Sequence, residues 1–120
     1  MSRGEFLVGN ILLDSTIQDQ PYYAVFEDDG DTGYFYVCDH RHPEQPVIDA
    51  LHIYDVQSVS DKEKTSLFEI MWSTDNLKTA LFINGRCHAI FDFAKMEGRC
   101  RSNFPNSQYR RDWSDELISP

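Results

Sequence analysis

Four places in this 120-residue chain bring together side chains that can do chemistry. Cys38, Asp39, His40 and His42 fall within five residues, and these types ligate zinc and other transition metals. His40 and His42 share a side only on extended backbone, which Pro43 favours for His42. No second ligand pair follows at a fixed spacing, so the sequence predicts no metal site there. Asp49 and His52 form a second possible acid–base pair, but on a strand residues three apart face opposite sides. Cys100 stands between Arg99 and Arg101, and neighbouring cations lower a thiol pKa. No base is placed beside it. The remaining candidate is the loop Glu27-Asp28-Asp29-Gly30-Asp31, which superficially resembles a calcium loop. Counted from Asp28 the twelfth position is Asp39, and counted from Asp29 it is His40, with Tyr34 to Cys38 reading as strand between. The EF-hand spacing therefore fails. The chain also lacks GxSxG, HExxH, P-loop and Gly-rich dinucleotide signatures. We expect no catalytic residue, no metal and no cofactor.

The elements that must position these groups are mostly strands. Tyr22 to Phe26 and Tyr34 to Cys38 are rich in β formers and flank the acidic loop, which reads as a hairpin. Asp39 to Pro46 is polar with two prolines and reads as a loop. Val47 to Val56 and Leu67 to Trp72 are two further runs, separated by the polar stretch Gln57 to Ser66. Asn84-Gly85 then joins Thr79–Ile83 to Arg86–Phe93, a strong signal for a two-residue hairpin. An unbroken register there pairs Phe82 with Cys87 and Ala80 with Ala89. It puts Ala80, Phe82, Cys87, Ala89, Phe91 and Phe93 on one core face. Cys87 is then inert, and His88 points the other way, onto a mixed face with Leu81, Ile83, Ile90 and Asp92. The tail from Lys95 to Arg111 holds five of the eleven bases, and Asp112 to Ile118 reads as a short terminal helix.

Composition narrows the class. Residues 1–61 carry twelve acids against two bases, whereas residues 62–120 carry eight acids against nine bases. A net charge of −9 opposes binding to phosphate backbones and favours basic protein partners. The basic tail with Phe104, Tyr109 and Trp113 has the interleaving of a nucleic-acid groove. An internal role, its arginines packing over the acidic half, fits the charge balance better. Three widely spaced cysteines, odd in number, point to reduced thiols rather than a disulfide framework. The apolar run near Phe6–Leu13 is broken by Gly9-Asn10 and is too short for a signal peptide or a membrane span. The expectation is a cytoplasmic protein with no membrane association.

Trp72-Ser73-Thr74-Asp75 through Ala89-Ile90-Phe91-Asp92-Phe93, then Gly98 to Pro105, together with Ala50-Leu51-His52-Ile53-Tyr54, resemble a family of small bacterial proteins catalogued as a domain of unknown function. The likeness covers about the last 75 residues of the 120. It implies a bacterial, cytoplasmic, single-domain protein and supplies no catalytic residues. In overall profile the chain also resembles bacterial immunity proteins that guard against contact-dependent or type VI toxins.

These readings combine into one expectation. The chain is a single domain over residues 1–120, mainly β: one strongly curved antiparallel meander of about six strands with a short C-terminal helix or irregular cap. It is a non-enzymatic binding module, an immunity-type inhibitor that neutralises a basic bacterial toxin such as a nuclease. Asp28, Asp29, Asp31, Tyr34 and Tyr36 are its expected partner-binding residues. The alternative is a small-molecule-binding or enzymatic β domain with the mixed hairpin face as a pocket wall.

Overall fold

The computed structural model describes residues 2–114. Nine strands follow in order: β1 (Ser2–Phe6), β2 (Ile11–Thr16), β3 (Tyr22–Asp28), β4 (Thr32–Asp39), β5 (Val47–Asp55), β6 (Ser66–Trp72), β7 (Lys78–Ile83), β8 (Arg86–Asp92) and β9 (Glu97–Cys100). All strand pairs are antiparallel, in a five-stranded sheet β1-β6-β7-β8-β9 and a four-stranded sheet β2-β3-β4-β5. The chain leaves the first sheet after β1, builds the second by a meander, then crosses back so that β6 lies on β1. The crossing segment between β5 and β6 begins with a single 3-10 turn at Val56–Ser58.

The expectation of one six-stranded sheet is corrected to two sheets. Of the three strands it missed, β2 holds the apolar run Ile11–Leu13, and β1 and β9 are short and weakly apolar. β1 turns Ser2, Gly4 and Phe6 inward, and β9 turns only Gly98 and Cys100 inward. Such strands are recruited by partners already in place rather than announced by their own pattern. A second sheet is physically needed. Phe26, Phe35, Val37 and Leu51 on one sheet and Phe68, Ile70, Leu81 and Phe91 on the other are fully buried and form one core. A single sheet would leave that face wet. Phe26 stacks on Phe68 across the two layers at 5.1 Å. Of the expected terminal helix, Asp112–Ser114 carry no helical structure, and the rest lies outside the described residues.

The Asn84-Gly85 hairpin forms, with both residues at positive φ (51° and 81°), as its tight turn requires. Its register is not the unbroken one. A shift between Leu81 and Phe82 pairs Phe82 with Cys87 but Leu81 with Ala89, leaving His88 as an extra residue. Leu81 therefore faces the core with Ala89 and Phe91, and Phe82 sits half-buried on the opposite face. The placement of Phe82 and Ala80 in the core is overturned. That of Ala89, Phe91 and Phe93 holds, whereas Cys87 is buried as expected but pairs with Phe82 and lies outside the inter-sheet core cluster.

The two sheets leave an unpaired seam between β5 and β9, and the tail fills it. His52 N donates to Phe104 O from the β5 side. On the β9 side Gly98 N donates to Tyr109 O and Arg111 N to Gly98 O. Beneath this strap Arg110 Nη2 meets Asp49 Oδ2 at 2.9 Å, both side chains 5% exposed. Ser107 Oγ donates to the same carboxylate, and Arg110 Nη1 donates to Pro105 O at 2.8 Å. The expected packing of tail arginines over the acidic half is met at Asp49. Arg111 instead pairs with Glu97, and Arg99 and Arg101 donate to backbone carbonyls.

Candidate protein-binding face

Between Arg3 and Arg41 the chain contains no lysine or arginine and eight acids. The fold converts that stretch into β2, β3 and β4, three of the four strands of one sheet. Alternation sends Ile11, Ala24, Phe26, Phe35 and Val37 inward. The outer face receives Leu12 and Asp14 from β2, Val25 and Glu27 from β3, and Tyr34 and Tyr36 from β4, with His52 from β5 beside them. Leu12 is 69% exposed and Phe104, on the tail strap, 54%.

The rings on this face form a chain. Tyr34 and Tyr36 lie 6.0 Å apart and nearly parallel, Tyr34 meets the edge of His52 at 5.5 Å, and His52 meets Phe104 at 5.7 Å. Burial first, and then the negative charges of Glu27 and Asp29, hold the Tyr36 phenol above its ordinary pKa. Its hydroxyl stays a donor at neutral pH. His52 Nε2 lies 3.0 Å from Asp55 Oδ1. The tautomer protonated at Nε2 donates there and leaves Nδ1 as a lone pair without a partner among the described residues.

The acidic loop divides into a buried and an exposed part. Asp28, expected on the exposed surface, is 1% exposed. Its carboxylate accepts from Gly9 N (2.7 Å), Gly30 N (2.9 Å) and the Tyr54 hydroxyl (2.6 Å). It ties the β1–β2 turn, the β3–β4 loop and β5 together, and it is not free to pair with another molecule. The sequence signal was available: Asp28 is in step with Ala24 and Phe26, which point inward. Asp29 and Asp31 are exposed as expected. Asp29 Oδ1 accepts the amides of Asp31 and Thr32, and these backbone bonds hold its pKa below the usual carboxylate range. Asp14, Asp19 and Glu27 are also exposed, so five exposed carboxylates border or stud the face.

The catalytic candidates are dispersed by the fold. Cys38 is buried, and burial lifts its thiol to about 11. Asp39 is engaged by Arg41 through Nε and Nη2, and these bonds keep its carboxyl below the ordinary range. His40 stacks on Tyr23 at 4.1 Å, and His42 is 3.9 Å from Asp39. Among the described residues no three of His, Cys, Asp and Glu converge as a cation site. Asp49 and His52 face opposite sides of β5, as the strand period requires, the first toward Arg110 and the second toward Asp55. Cys100 is buried among Ser102 Oγ (3.5 Å), Phe104 O (3.6 Å) and Arg110 Nη1 (3.7 Å), not beside a base. All three thiols are free.

Residues 6–119 match a family described as an uncharacterized protein conserved in bacteria (DUF2251). The chain belongs to this family. The match is wider than the C-terminal resemblance and takes in the strands of the acidic face. An uncharacterized protein of Haemophilus influenzae (strain ATCC 51907 / DSM 11121 / KW20 / Rd) is 40% identical over 98 residues, which is 82% of this chain. The alignment spans 61% of that relative's own length. No solved structure matches the chain. Among the described residues no helix is long and apolar enough to cross a membrane.

Proposed function

We propose that the protein is a non-enzymatic binding module that receives a basic protein partner on the outer face of its four-stranded sheet. The observation that carries this reading is the cation-free stretch from residue 4 to residue 40, folded so that Tyr34 and Tyr36 stand among exposed Glu27, Asp29 and Asp31. Tyrosines that keep one polar end and one apolar body are common anchors of protein interfaces. Carboxylates at a rim steer a basic partner and exclude acidic ones. Asp28 serves the same face from below by fixing the loop that carries Asp29 and Asp31. The biological role that fits such a face is an immunity-type inhibitor of a basic bacterial toxin, in the cytoplasm.

The test is kinetic. The tagged chain is expressed in its bacterial host, a co-purifying partner is identified, and association is followed at low and high salt. Asp29→Lys with Asp31→Lys is expected to slow association and to flatten its salt dependence. Tyr36→Ala is expected to speed dissociation by roughly 30-fold, the equivalent of about 2 kcal/mol. An association rate indifferent to salt and to the double lysine change removes this face from the interface.

A further inference from the structure

A second site lies where the chain crosses from β5 to β6. At this end of the sandwich the sheets leave a cleft of about 400 Å³. That volume lies within the range of small-molecule sites, roughly 300–1,000 Å³. Its apolar wall is Val8, Ile53, Phe68 and Ile83, contributed by both sheets and the β1–β2 turn. Tyr54 completes the wall and is locked in place. Its ring packs so closely on Gly33 that a Cβ there would sit 2.9 Å from it, and Asp28 holds its hydroxyl. The wall therefore exists before any ligand arrives, which lowers the entropic cost of binding.

One polar group inside the cleft has no use in the fold. His88, the extra residue of the β7–β8 hairpin, lines the space, and its ring has no hydrogen-bond partner among the described residues. Burial first, then the charges of Arg101 and Arg86, depress its pKa to about 4, so the imidazole is neutral at physiological pH. Exposed Lys64 lines the cleft from the crossover loop, in the same turn as the single carboxylate of the lining, Asp61, whose carbonyl accepts from Lys64 N at 3.0 Å. Lys64 is the one cation of the cleft's lining among the described residues, and Arg101 and Arg86 act on His88 from outside it.

We propose that this cleft binds a small amphipathic carboxylate, its hydrocarbon body against Val8, Ile53 and Ile83 and its head group between His88 and Lys64. Neutral His88 donates its ring N–H to the carboxylate and Lys64 supplies the opposite charge. Asp61 limits the site to one negative group, since a dianion would be repelled. The ligand enters past the β5–β6 loop, whose Val59, Ser60 and Thr65 line the cleft.

The experiment is a titration of the full-length, isotope-labelled protein followed by NMR, with octanoate, 1-octanol and acetate as probes. Octanoate is expected to shift the resonances of Val8, Ile83 and His88 saturably and to bind at least fivefold more tightly than octanol. Acetate is expected to leave them unmoved. The titration midpoint of the His88 ring should rise when octanoate is bound, because an adjacent anion favours the imidazolium. Lys64 is exposed, so Lys64→Ala leaves the fold intact. It should abolish the preference for octanoate over octanol while octanol still binds. Shifts scattered over the surface, equal affinity for the acid and the alcohol, or a His88 midpoint unmoved at saturation would each overturn the proposal.

Discussion

Replacing Asp28 by alanine separates a surface acid from a structural one. The side chain is 1% exposed and accepts three hydrogen bonds, from Gly9 N, Gly30 N and Tyr54 Oη. Removing the acceptor strands the donors unequally. Gly30 is exposed and regains water, whereas Gly9 and Tyr54 are half-buried. An unsatisfied buried group costs roughly 1–3 kcal/mol, and water entering the vacated space returns part of that. The expected loss is about 2–5 kcal/mol. With a urea slope of about 1–3 kcal/mol per molar, a loss of about 3 kcal/mol lowers the unfolding midpoint by more than 1 M. Asp29→Ala is the control: its carboxylate is exposed and caps two loop amides, and its loss should stay within about 1 kcal/mol. Tyr54→Phe should be strongly non-additive with Asp28→Ala, since both remove the same bond. Burial and Asp28 also hold the Tyr54 phenol well above its ordinary value near 10. Above pH 10 the unfolded chain therefore releases a proton that the native state keeps, and stability falls as pH rises. Tyr54→Phe should flatten that alkaline fall. The reasoning fails if Asp28→Ala is no more destabilising than Asp29→Ala in urea unfolding.

Two further substitutions test the hairpin and the seam. Leu81→Ala should cost roughly 2–5 kcal/mol because Leu81 is fully buried, and Phe82→Ala clearly less, an order that an unbroken Asn84-Gly85 register would reverse in thermal unfolding. Arg110→Ala should cost roughly 3–5 kcal/mol by leaving Asp49 charged and buried, while Asp49→Leu with Arg110→Met should recover most of that in chemical denaturation.

What could be read from the sequence follows the strength of each strand's own pattern. β3, β4, β5, β6, β7 and β8 carry long alternating or aromatic runs and were legible. The pairing of β3 with β4 across the acidic loop is the one observed, with Phe26 opposite Phe35. β1 and β9 were not legible because Gly4 and Gly98 occupy inward positions where an apolar side chain would have signalled a strand. The hairpin went wrong at one residue. A bulge at His88 leaves no mark in composition, yet it exchanges Leu81 for Phe82 in the core, because the side-chain period is two. At the candidate face the period of β3 was sufficient to show Asp28 inward, but the loop-like composition around it drew it outward. The partners of Asp49 and Tyr54 were out of reach, since Arg110 and Asp28 lie 61 and 26 residues away.

The three buried carboxylates among the described residues explain why an acidic half is compatible with a stable sheet. Like charges on adjacent strands repel, and a face bearing Asp14, Glu27, Asp29 and Asp31 gains nothing from them in folding. Asp28, Asp39 and Asp49 are the exceptions: Asp28 is satisfied by three neutral donors, and Asp39 and Asp49 are paired with Arg41 and Arg110. Asp28 pins the loop that displays Asp29 and Asp31, and Asp49 pins the tail strap that brings Phe104 beside His52. Tyr34 and Tyr36 then lie on a regular ladder between two fixed borders. A partner meeting this face has little left to order, so the interface area is not discounted by loop entropy. The uncompensated surface charge, a cost to the isolated chain, becomes favourable only when a cationic surface arrives. That is the behaviour expected of a surface shaped for binding rather than for stability.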